Sequence, residues 1–206
     1  VIDTPTTQKA NEAAKSSIPN YTKFVELAQK TTEDEMLELE KKSLKNLSAE
    51  QRRAIRTYTG GAFKPINKYL RLIAEGRKHS YAMSEAMLDT EKYDAIKNIQ
   101  SVLQSTHLGK SLVLRRGTDI GELAGFMPGR FAVNYNKLQG MSVEELNALF
   151  EGSVVKYAGF TSTSSIWDRG FTGNVEMVLY ASENTLASSI MGISQFGTEE
   201  GETLLN

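Results

Sequence analysis

The sequence predicts an α+β protein in which helices come first and strands later. Apolar residues recur at helical spacing from about Tyr21 to Leu103. After Gly109 the chain changes to short runs rich in β-branched and aromatic residues. The two kinds of segment do not alternate, so a parallel sheet of βαβ units is not expected. At 206 residues the chain can enclose a real core in one compact domain.

Residues 1–20, rich in Thr, Ala, Ser, Asn and Lys and carrying Pro5 and Pro19, read as a loose leader. Phe24, Leu27 and Ala28, then Met36, Leu39, Leu44 and Leu47, mark a helical stretch whose intervening charges form a solvated face. Residues 1–45 are thus expected to be a leader and helical appendage, and 46–206 the main domain. Ser48-Ala49-Glu50-Gln51 is a capping box, and Gly60-Gly61 would end the helix it opens. Pro65 suits the first turn of the next helix, with Ile66, Tyr69, Leu70 and Ile73 along one stripe. A further helix is expected over Lys92 to Leu103. Ser111 to Gly117 reads as a strand, residues 118–140 as loop-rich, and Ser142 caps a short helix through Phe150. Val154 to Ser164 and Asn174 to Ala181 read as strands, and Gly201 to Leu205 as a last short one.

Composition narrows the chemistry. A net charge of −1 argues against general nucleic-acid binding, which needs a basic surface. With no cysteine, disulfides, thiol nucleophiles and zinc–thiolate sites are excluded. The two histidines, His79 and His107, stand in no metal-ligand spacing, so no metal is expected. No apolar run approaches the roughly 18 residues of a membrane span. A chain starting at Val1 reads as an excised or processed fragment.

Three segments carry polar residues that a plain sheet does not require. Leu112-Val113-Leu114-Arg115-Arg116-Gly117 ends an apolar strand in two guanidiniums, which can fork onto a phosphate or carboxylate. In Phe160-Thr161-Ser162-Thr163-Ser164, alternation puts Phe160, Ser162 and Ser164 on one face. If Glu200-Gly201-Glu202 is strand, both carboxylates share a face roughly 6.5–7 Å apart and want a cation opposite. Before them, Gln195-Phe196-Gly197-Thr198 reads as an exposed turn with an aromatic tip. Singly, each segment is ordinary: a strand reaching solvent, hydroxyls on a sheet, a solvated terminal strand.

Together and in this order they resemble the arginine-type mono-ADP-ribosyltransferases, a toxin-like class with an Arg, a Ser-Thr-Ser and a Glu-x-Glu signature. Tyr58-Thr59-Gly60 with Ile66-Asn67 and Leu70-Arg71 is similar to the family's helical motifs, and Ser194 to Leu205 to its recognition loop and closing strand. The resemblance spans about residues 45–206. It implies N-terminal helices followed by a mostly antiparallel two-sheet β core. It also implies NAD as substrate, with ADP-ribose transferred to an arginine of a target protein; some relatives modify actin.

By resemblance, Glu202 is the carboxylate at the NAD ribose, Ser162 holds it, and Glu200 faces the incoming arginine. Arg115 grips the phosphates, with Arg116 as its less favoured double. Tyr58, Asn67 and Arg71 line the cofactor cleft, Phe171 packs on the nicotinamide, and Phe196 is the exposed aromatic of the recognition loop. The chain departs from the family at Phe63, where relatives often carry a second tyrosine. It departs again at Asn174, where a basic residue is expected, so phosphate binding would lean on Arg115, Arg71 or Arg169. Two alternatives stay open: an NAD glycohydrolase with water as acceptor, and a non-catalytic NAD-binding module. A secreted toxin component or a cell-acting effector, bacterial or phage-borne, is the expected setting.

Overall fold

The computed structural model describes residues 26, 30–127, 131–170 and 172–206. Helices α1 (Glu33–Ser43), α2 (Ala49–Thr57), α3 (Phe63–Ala74), α4 (His79–Glu85) and α5 (Thr90–Gln104) come first. Strand β1 (Leu112–Thr118) follows, then helices α6 (Ile120–Phe126), α7 (Phe131–Leu138) and α8 (Val143–Phe150). Strands β2 (Thr161–Ser164), β3 (Val175–Ala181), β4 (Ala187–Ser189) and β5 (Glu202–Leu205) complete the order. N-terminal helices followed by an antiparallel sheet is the α+β arrangement the sequence predicts.

Among the described residues the strands form one antiparallel sheet in the order β3-β1-β2-β5-β4, where two sheets were expected. That order makes the three polar segments neighbours. Arg115 on β1 stands opposite Ser164 on β2, and Ser164 stands opposite Glu202 on β5.

Local chemistry accounts for most helix ends. Thr32 caps α1 by accepting from the Glu35 amide, with acids in the first turn and lysines in the last. Ser48 and Gln51 close the expected capping box on α2, and Ser142 and Glu145 close another on α8. Helix α1 is fastened to the body: Met36 is fully buried against Leu112, Leu114 and Met191. The buried Glu40 carboxylate accepts from the Gly192 amide at 2.9 Å, and burial raises its pKa.

Four expectations change. Gly60-Gly61 does not stop the chain as helix; a π-helical turn (Tyr58–Ala62), kinked at Gly61 with φ 112°, leads straight into α3. Residues 118–140 hold α6 and α7 in place of loop. The strand expected from Val154 shrinks to Thr161–Ser164. The cause lies at Phe160, whose carbonyl accepts from Tyr58 Oη (3.1 Å) and Asn67 Nδ2 (3.0 Å) and whose amide donates to Asn67 Oδ1 (3.0 Å). Side chains from the helical layer thus take the backbone groups a sheet ladder would use. Finally, Glu200 lies at the end of a 3₁₀ turn (Gly197–Glu200), and β5 starts only at Glu202. Gly201, left-handed at φ 57° and ψ 37°, makes the corner.

The Asn67–Phe160 lock gives a first prediction. A methyl at Gly159 would fall 2.8 Å from Asn67 Oδ1 and 2.9 Å from its Cγ, and Asn67 is held by three hydrogen bonds. Gly159→Ala should therefore destabilise the fold by roughly 1–3 kcal/mol, the usual cost of overpacking. Urea denaturation measures it; an unchanged midpoint would show that Asn67 yields easily.

Candidate active site

A cleft of about 1320 Å³ opens between the helical layer and the sheet, larger than the ~300–1,000 Å³ typical of small-molecule pockets. The π-helical turn and α3 supply one wall with Tyr58, Phe63, Asn67 and Arg71. The sheet side supplies Arg116, Glu122, Ser162 and Glu202, and the 3₁₀ turn brings Phe196 and Glu200 to the rim.

Glu202 is 2% exposed and accepts from Ser194 Oγ at 2.8 Å. Burial raises its pKa, while the Ser194 hydrogen bond and the nearby Ser162 hydroxyl act against the rise. A carboxylate withdrawn from water but still held by the Ser194 hydroxyl is a preorganised negative charge. Glu200 is less buried, and its pKa is raised by burial first, then by Glu202 and Glu199. The two carboxylates line one cleft, although Glu200 does not share a strand with Glu202.

The paired arginines part company, as adjacent strand residues must. Arg115 does not line the cleft: its Nε donates to Glu176 at 2.7 Å, its Nη1 to the Trp167 carbonyl, and its guanidinium lies 4.9 Å from the Trp167 ring centroid. Arg116 lines the cleft and forks onto Glu122, Nε to Oε1 at 3.0 Å and Nη2 to Oε2 at 2.9 Å. Its Nη1 donates to the Ser162 carbonyl at 2.7 Å. The expected order of preference between the two is thus reversed by their placement. Burial works against the charge on Arg116, but the Glu122 pair outweighs it and holds the guanidinium above its ordinary pKa. Glu122 is held low in turn: burial pushes it up, and bonds from Arg116 and Thr118 more than offset that. Three of the five guanidinium N–H groups serve these bonds, which leaves two to meet a ligand.

Tyr58 and Asn67 line the cleft as expected, but their polar atoms serve Phe160. Burial pushes the Tyr58 hydroxyl up to about 12, so it stays neutral. Arg71 lines the cleft; Arg169 does not, and its Nη1 bonds Glu33 and the Thr198 carbonyl. Phe196 is 47% exposed at the rim. Phe171 lies outside the described residues.

Residues 37–206 match the family model of the ADP-ribosyltransferase exoenzymes. The chain belongs to that family. No curated protein sequence matches it. The fold is similar to that of C3stau2 from S. aureus, solved with NAD, at TM-score 0.64 and 20% identity over 85% of this chain and 84% of that one. It is similar to the Clostridium limosum C3 exoenzyme at TM-score 0.61 and 22% identity, over 85% and 82% of the two chains. The enzymatic component C2-I of the Clostridium botulinum C2-toxin matches at TM-score 0.56 and 23% identity, over 86% of this chain and 41% of that one. The protein is thus an ADP-ribosyltransferase that acts on NAD.

Several residues of this candidate site escape sequence reasoning. Glu122 falls where loop is expected, yet Asp119 three residues earlier caps α6 by accepting from the Gly121 and Glu122 amides. That Asp-x-x-Glu spacing is the signal that could have found it. Tyr157, which lines the cleft, carried no such mark, and Ser194 stood in the recognition-loop motif without a role of its own. Among the described residues, no group of three His, Asp or Glu side chains could hold a metal ion. No described helix is long and apolar enough to cross a membrane.

Proposed function

We propose that this ADP-ribosyltransferase transfers ADP-ribose from NAD to arginine side chains of a protein in a target cell. The observation that carries the reading is the unequal pair of carboxylates in one cleft, Glu202 buried and fixed, Glu200 at the rim beside Phe196. The bond between the ribose and the nicotinamide nitrogen breaks, its electron pair leaves with the nicotinamide, and that product departs neutral. Positive charge grows on the ribose in an oxocarbenium-like transition state. Glu202 stabilises this charge, and Ser162 and Ser194 keep its carboxylate in place. The acceptor guanidinium approaches over Phe196. Glu200 aligns it and takes its proton, so that a neutral nitrogen forms the new bond to the ribose. Arg116 and Arg71 hold the diphosphate, and no metal takes part.

The test is labelled NAD with a free arginine analogue, then with a host-cell lysate containing actin among other acceptors. Label on the guanidine supports the reading; label only in free ADP-ribose defeats it. One observation favours glycohydrolysis as the second reading. Glu200 sits on a turn bracketed by Gly197 and Gly201, both at positive φ, a joint that can swing the carboxylate aside and leave water as acceptor.

The placement of the arginines gives a prediction of its own. Arg116→Lys keeps a charge but loses the fork, and should weaken NAD binding about tenfold or more, the order of one charge-assisted bond. Arg115→Lys should change it little. Calorimetry on both variants decides the matter, and a larger loss at Arg115 would return the phosphate-binding role to that residue.

A further inference from the structure

The 3₁₀ turn carrying Glu200 is held from beneath by the loop that follows β2. Ser165 donates to the Gly201 carbonyl twice, from its amide at 3.0 Å and its hydroxyl at 3.1 Å. Gly170, at φ 110°, lies so close that an added Cβ would be 3.7 Å from the Glu200 carbonyl and 2.5 Å from Ser164 Cβ. Between these points Arg169 reaches up and donates from Nη1 to the Thr198 carbonyl at 2.7 Å, in the middle of the turn. The same nitrogen meets Glu33 Oε2 at 2.6 Å. Glu33 opens α1, and it lies outside the residues the family model matches. Helix α1 is itself fixed by Met36, by the Glu40–Gly192 bond and by a Lys110–Glu35 pair at 2.6 Å.

We infer that Arg169 is a positioning residue for the acceptor-facing turn, and that Glu33 of α1 holds it there. A three-centre contact of carboxylate, guanidinium and backbone carbonyl fixes the turn against a body that does not move with it. The link runs to Thr198 and not to Glu202, so it bears on the acceptor side of the reaction and leaves the ribose side alone. Helix α1 thereby sets the ratio of protein transfer to NAD hydrolysis while standing outside the cleft. The inference rests on Glu200 facing the acceptor, as proposed above.

Two readouts on Arg169→Gln and Glu33→Gln test it. Hydrogen exchange over residues 197–201 should quicken in both variants, with α3 and α5 unchanged. Transfer to an arginine analogue should fall about tenfold at Arg169→Gln, the scale of one charge-assisted bond to a carbonyl discounted for partial exposure. NAD hydrolysis and the KM for NAD should stay within about twofold of wild type, since nothing at the ribose changes. Glu33→Gln should do the same more weakly and add nothing in the Arg169→Gln background, because both act through one contact. Unchanged exchange at 197–201, an equal loss of transfer and hydrolysis, or full additivity would each overturn the inference. Quickened exchange in the variants of an enzyme whose wild type labels no guanidine would instead uphold the positioning role and defeat the arginine reading.

Discussion

Glu202→Gln is expected to abolish both ADP-ribose transfer and NAD hydrolysis while leaving the fold intact. Both reactions share the departure of nicotinamide and the positive charge it leaves on the ribose, so both need the fixed carboxylate. Loss of one preorganised electrostatic contact typically costs ~3–4 kcal/mol, on the order of 10²–10³ in rate. Glutamine has the same shape and can still accept from Ser194, so the packing around a 2%-exposed side chain is kept. Stability should not fall. Burial raises the Glu202 pKa above its unfolded value, so the folded protein binds the proton more tightly than the unfolded chain does. That contribution favours folding at low pH and is lost as pH rises through the interval between the two pKa values. Glutamine removes this dependence, and its melting temperature at neutral pH should match or exceed wild type. The same raised pKa should place the acidic limb of the activity–pH profile above the ordinary glutamate range. Near wild-type turnover by Glu202→Gln would remove the basis of the assignment.

Glu200→Gln is expected to divide the two activities. Transfer to an arginine analogue should fall by about 10²-fold or more, the scale of a lost general base, while nicotinamide release into water continues. Water needs no alignment against a guanidinium, and Glu200 has no part in holding Glu202. Nicotinamide release is measured beside ADP-ribosyl-arginine formation on the same enzyme. If both fall together, the division of labour is wrong. If neither falls, Glu200 does not face the acceptor, and the arginine specificity loses its main support.

Much of this site was legible in the sequence because it lies on short motifs with local causes. The capping box at Ser48 and the cap at Ser142 follow from residues close in sequence, and both form. Ser164 and Glu202 stand opposite each other because each segment reads as a strand and the strands pair, which brings Ser162 and Glu202 into one cleft. What escaped depends on contacts between distant residues. The Val154–Phe160 stretch has strand composition, but Asn67, some ninety positions earlier, takes the backbone bonds of Phe160. The facing of Arg115 and Arg116 turns on a register that no single strand reveals. Glu200 kept its expected place in the cleft but not the expected backbone, because Gly201 turns a corner where alternation predicts extended chain.

The position of β5 bears on how the protein is made. It lies between β2 and β4, both of which leave the ribosome before it, and among the described residues β4 pairs with no other strand of the sheet. A nascent chain that has emerged only through β4 lacks Glu202 and the strand that joins its two sheet neighbours. Synthesis at ~5–20 residues per second leaves the helical layer time to fold first. On the role proposed for Glu202, a translation intermediate that ends before β5 has an incomplete cleft and should neither cleave NAD nor modify a protein. The cleft is complete only when the late strand slots into the gap.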